Sequence, residues 1–116
     1  MNLKQFDKFC KTLPAATLVV QWGDSHVYKI GGKLFAMGNE AQGHPGFILK
    51  TTPLTYEILL EQGIATRAPY LTRGNWVRIS DPAPPDAELA DYIQQSYDII
   101  AATLPKATRK ALGIGL

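Results

Sequence analysis

In the segment Asn75-Trp76-Val77-Arg78-Ile79, residues from Trp76 onward alternate aromatic or polar with aliphatic. On a β-strand, alternate side chains share a face, so Trp76 and Arg78 point one way and Val77 and Ile79 the other. The same alternation in Val27–Ile30 and Gly46–Lys50 offers Lys29 and Lys50 to the face that carries Trp76. An indole among three cations suits phosphate contact with a base stacked on the ring. The same residues also suit a tryptophan that closes the edge of a core beside solvated cations.

Two further groups extend this chemistry. Lys33 follows Gly31-Gly32, and Arg67, Tyr70 and Arg73 lie in a later irregular stretch. Read as two wings, these would set cations along a phosphate groove without a recognition helix. An ordinary hairpin and a surface loop account for the same residues. Lys106, Arg109 and Lys110 follow Leu104-Pro105. They are either phosphate contacts or cations complementing a helix C-terminus.

Residues for catalysis are sparse. His26 and His44 are the only histidines, and Asp24 near His26 lacks a recognisable third partner. Zinc needs three or four ligands. The single cysteine, Cys10, excludes an intrachain disulfide and a cysteine-based zinc site. Its place on an apolar helix face reads as a small buried hydrophobe. Ser96 falls on the core stripe of a long helix, which implies packing, with its hydroxyl returned to the Tyr92 carbonyl. No Ser-His-Asp order, catalytic carboxylate pair or glycine-rich phosphate loop is present. The expectation is a binding protein rather than an enzyme, with no catalytic residues, metal or cofactor.

Leu3, Phe6, Phe9, Cys10 and Leu13 repeat at helical spacing between lysines, with Asn2 placed to cap and Pro14 to stop the helix. Thr17 to Trp22 is short and β-branched, hence a strand, and Gly23-Asp24-Ser25 a turn. Gly31-Gly32 joins strands Val27–Ile30 and Lys33–Met37 as a hairpin. Asn39 to Pro45 reads as loop and Gly46–Lys50 as a strand. Thr51-Thr52-Pro53 opens a helix that Gly63 ends. Ile64 to Gly74 reads as loop and Asn75–Ile79 as a strand. Pro82, Pro84 and Pro85 precede the longest helix, about Asp86 to Leu104, and Lys106 to Leu112 makes a last short turn.

This order gives an α+β fold: an antiparallel sheet with helices packed on one face and the other face left open. The 116 residues are one domain's worth. No apolar run reaches the roughly 18 residues a membrane span needs, and charges interrupt the N-terminal apolar residues, so a cytoplasmic protein is expected. A net charge of +2 does not itself argue for nucleic acid. Charge is segregated, however. Gln62 to Ser80 holds three arginines and no acid, while Asp86, Glu88, Asp91 and Asp98 crowd together.

Several motifs then fall in a familiar order. They are Trp22-Gly23, Val27-x-Lys29, Gly31-Gly32-Lys33-x-Phe35-Ala36, and Phe47-x-Leu49-Lys50 followed by Pro53. Ala68-Pro69-Tyr70, Asn75-Trp76-Val77, Ser96-Tyr97 and Leu104-Pro105-Lys106 continue the series. Together they resemble the MmcQ/YjbR family over nearly the whole chain. The resemblance implies a frataxin/CyaY-like architecture with a double-wing arrangement, and DNA as partner. Taken with the strand faces, wings and late cations above, the expected contacts are Lys29, Lys33, Lys50, Arg67, Arg73, Trp76, Arg78 and Lys106. A protein or ligand held on the same sheet face is the other expectation.

Overall fold

The computed structural model describes residues 1–80 and 83–114, so Pro82 lies outside the described residues. Helix α1 (Leu3–Cys10) starts at a reciprocal cap. The Asn2 side chain accepts the Gln5 N–H, and the Gln5 side chain accepts the Asn2 N–H, both at 2.8 Å. Strands β1 (Thr17–Gln21), β2 (Ser25–Ile30), β3 (Lys33–Ala41) and β4 (His44–Lys50) follow as consecutive antiparallel neighbours. Helix α2 (Pro53–Glu61) has Thr52 as N-cap and leads to a two-residue strand, β5 (Thr66–Arg67). Strand β6 (Trp76–Ser80) lies between β4 and β5, giving the order β1-β2-β3-β4-β6-β5. Helices α3 (Asp86–Ala102) and α4 (Lys106–Leu112) complete the chain.

The fold is α+β, as the residue pattern implies, with the helices against one face of the antiparallel sheet. Phe6 of α1 and Leu89, Ile93 and Tyr97 of α3 meet Tyr28, Phe35, Phe47 and Val77 in one core. Two glycines set the depth of this packing. A Cβ on Gly38 would sit 2.7 Å from the Phe6 ring, and one on Gly31 would sit 2.8 Å from the Leu104 side chain.

Three local expectations need correction. Residues 39–45 are not a loop: β3 and β4 run on to a tight turn at Gln42-Gly43, with φ of 53° and 79°. A primed turn of this kind matches strand twist, and a Gln-Gly pair signals it less clearly than Gly-Gly. The stretch from Ile64 to Gly74 contains β5, paired Thr66–Arg78 and Arg67–Val77, a strand too short for periodicity to reveal. The Ser96 hydroxyl does not return to Tyr92. The β2–β3 register shifts between Tyr28 and Lys29, and the hydroxyl donates to the Phe35 carbonyl at 2.5 Å. At helix ends the differences are smaller: α1 stops at Cys10, α3 at Ala102, and residues 106–112 form a full helix.

Candidate ligand-binding groove on the outer sheet face

Directly opposed residues in a sheet share a face. The register Val19–Val27–Met37–Ile48–Arg78–Thr66 therefore defines one row across all six strands. This row faces away from the helices, because the next one, Leu18–Tyr28–Ala36–Leu49–Val77, enters the core. Yet Val27 is fully buried and Ile48 nearly so. The outer face is partly covered.

After β5 the Ala68 N–H still bonds the Trp76 carbonyl, and Pro69, Tyr70 and Leu71 then line a groove together with outward-facing residues of the sheet. Between them and Trp22, at the β1–β2 turn, lies a groove of about 610 Å³. Its floor is Leu34, Met37 and Ile48; Ser25, Asn39 and Arg78 are its polar members. Trp22 and Tyr70 are 67% and 97% exposed, and both have left-handed backbone, with φ of 51° and 66°. For bulky residues that conformation is costly, and such strain concentrates at functional sites.

Arg78 lies flat against the groove floor beside Gly46. A Cβ there would stand 2.8 Å from Nη2, 3.2 Å from Nε and 3.3 Å from Cζ. Glycine at 46 has ordinary negative φ, so what it provides is room for the guanidinium. Among the described residues no carboxylate is within ion-pair reach of Arg78.

The expected contact residues divide between surfaces. Lys29, Lys50, Trp76 and Arg78 take the outer face, as alternation requires. Lys50 is engaged there: its Nζ donates to the Gly74 carbonyl and sits 5.5 Å from the Trp76 ring centroid. Burial lowers the Lys50 pKa from its ordinary value. Trp76 also packs against the core. Lys33 turns to the helix side, where Nζ donates to Thr103 Oγ1 at 3.1 Å. Lys106 begins α4 in the helix layer. Arg67 sits on the edge strand opposite inward-facing Val77, and it shares a small crevice with Tyr56 of α2. Arg73 is exposed in the covering segment beside Gly74. The face expected to lie open with an indole among three cations keeps those residues, but part of it is an apolar groove with Arg78 in it. The reason is that Leu34, Met37 and Ile48 have outward parity and share the groove with Pro69 and Leu71 of the segment after β5.

A second polar constellation joins helix and sheet. His26 pairs with Asp7 of α1: Nδ1 is 2.8 Å from Oδ2, and Tyr28 Oη donates to Oδ1 at 2.7 Å. Cys10 is buried, as its place on the apolar face implies. Burial and the Asp7 carboxylate together push its thiol far above the ordinary 9.0. Burial, then the bond to Asp7, raises Tyr28 likewise above 10.0. Asp7 ties α1 to β2, and only the fold brings the two elements together.

Fold and groove thus define a small α+β domain with helices on one sheet face and a lined cavity on the other. The chain belongs to the YjbR family: the family model described as YjbR matches residues 11–99. It is 28% identical to the Escherichia coli K12 protein YjbR, over 97% of this chain and 98% of that one, and equally to its O157:H7 counterpart. The fold recurs in the crystal structure of Deinococcus radiodurans protein DR2400, of domain DUF419. That structure has a TM-score of 0.87 at 22% identity, covering 98% of this chain and 89% of that one. A Pseudomonas syringae protein has a TM-score of 0.73 at 16% identity, covering 86% and 99% respectively.

Proposed function

We propose that the chain is a non-catalytic cytoplasmic binding module that takes an apolar ligand into the groove between Trp22 and Tyr70. One observation carries this reading. Two exposed aromatic residues, both held in left-handed backbone, flank a concave apolar floor on the face opposite the helices. The volume falls within the roughly 300–1,000 Å³ typical of small-molecule sites. Mostly apolar lining with a few placed polar groups is the usual composition of such sites. The test is a small-molecule screen read at the Met37 methyl resonance, repeated with Trp22→Ala and Tyr70→Ala. Hits that shift Met37 and weaken in both variants support the reading. A screen with no Met37 response defeats it.

A DNA-binding reading, with the Gly31-Gly32 hairpin and the loop around Arg67, Tyr70 and Arg73 as wings, has separate support. Lys29, Lys50 and Arg78 share the outer face with Trp76, and the family resemblance points the same way. Three outward cations would give a slope of log K against log salt near about −3, and weak affinity. Charge reversal at Lys29 and Arg78 should then abolish duplex binding, while Trp22→Ala leaves it intact. Salt-independent retention on DNA, or none at low salt, excludes this reading.

A further inference from the structure

We infer that the ligand of the groove is an apolar monocarboxylate whose carboxylate is held by Arg78. This rests on the groove reading and adds the chemistry of the ligand's polar end. Arg78 is the only charged side chain among the groove's lining residues, and no carboxylate among the described residues neutralises it. A guanidinium over an apolar floor is poorly screened, so an anion placed beside it gains more than one at an open surface. Its planar fork matches a carboxylate through two parallel N–H···O bonds, which a lysine ammonium does not reproduce.

The seat is built for this side chain. Gly46 leaves the space that Nη2, Nε and Cζ occupy, so the arginine rests against the sheet. Asn39 is directly opposite Gly46 in the β3–β4 register and also lines the groove, adding an amide within the same neighbourhood. Leu34, Met37 and Ile48 then offer apolar floor, and Trp22 and Tyr70 offer ring surface on either side. One cation in the cavity favours a monoanion. A phosphate dianion calls for more positive charge, and the nearby ammonium of Lys50 is committed to Gly74 and the Trp76 ring.

Decanoate, decanol and decylamine, each below its aggregation concentration, are titrated into the full chain by calorimetry, with the Met37 methyl resonance as site reporter. Decanoate is expected to bind about ten-fold or more tightly than decanol, with decylamine weakest. Arg78→Gln should remove the decanoate advantage and leave decanol unchanged, and Arg78→Lys should fall between. Gly46→Ala displaces the flexible end of Arg78 rather than backbone, so it should lower decanoate affinity in a chain with wild-type circular dichroism. If decanol matches decanoate, or Arg78→Gln leaves decanoate unaffected while Met37 still shifts, the carboxylate assignment fails and the groove reading stands. If none of the three shifts Met37, both fail.

Discussion

The wholly buried Ser96 hydroxyl accepts the backbone N–H of Lys50 at 2.9 Å while donating to the carbonyl of Phe35. One side chain of α3 thereby satisfies two backbone groups on neighbouring strands where the β2–β3 register slips. Ser96→Ala leaves a buried donor and a buried acceptor unpaired. The expected cost is about 2 kcal/mol, since unsatisfied buried groups lose their desolvation energy outright. Urea unfolding should show a lower midpoint at unchanged slope. Exchange of the Lys50 amide should accelerate beyond that of its neighbours.

Asp7 joins α1 to β2 through His26 and Tyr28. Asp7→Ala should destabilise the chain by about 2 kcal/mol, and Tyr28→Phe by about 1 kcal/mol. Because the two touch, their effects should not add: a double-mutant cycle is expected to show a coupling of about 1 kcal/mol. Additive losses would mean that the Tyr28–Asp7 bond contributes nothing to the docking of α1.

Alkaline pH should weaken the fold for an identifiable reason. The Cys10 thiol and the Tyr28 phenol both have folded pKa values raised above their ordinary 9.0 and 10.0. A raised acid keeps its proton in the folded state while the unfolded chain releases it. Its stabilising effect is therefore complete below the unfolded pKa and lost as pH rises beyond it. Urea midpoints should be flat near about pH 8 and fall progressively above about pH 9–10. Tyr28→Phe should make that decline shallower.

The buried Cys10 should also be chemically inert. Thiolate is the reactive form, and burial together with Asp7 suppresses it. Ellman's reagent at neutral pH should leave the native chain unlabelled and titrate one thiol after denaturation. Rapid labelling of the native chain would show that α1 opens readily from the sheet.

Much of this architecture could be read from the residues because local rules and tertiary packing agree. Asn2 caps, Gly31-Gly32 turns, and Trp76-Val77-Arg78-Ile79 alternates as a strand with one inward face. The groove could not be read in this way. Its floor residues, Leu34, Met37 and Ile48, are separated in sequence and share a face only through strand register. Leu34 and Met37 are even and odd in number yet lie on one side, because the irregularity near Phe35 shifts the parity of β3. Gly46 gave no turn signal, since it leaves space for an arginine thirty-two positions away rather than adopting positive φ. The partner of His26, Asp7, is nineteen residues distant, which no local pattern reveals.

Trp22 and Tyr70 offer the sharpest separation of stability from function. Each adopts left-handed backbone, which costs a bulky residue about 1–3 kcal/mol, and neither repays this by entering the core. Asparagine tolerates the same conformation through its short polar side chain. Trp22→Asn and Tyr70→Asn should therefore leave the unfolding free energy unchanged or raise it by about 1 kcal/mol, while removing an aromatic wall from the groove. A residue kept only for folding would show the opposite: lower stability on replacement and no effect on any ligand. Urea unfolding of both variants, set beside decanoate calorimetry, distinguishes the two. If both lose stability and keep wild-type affinity, the aromatic pair serves the fold, and the groove loses the feature that marks it as a site.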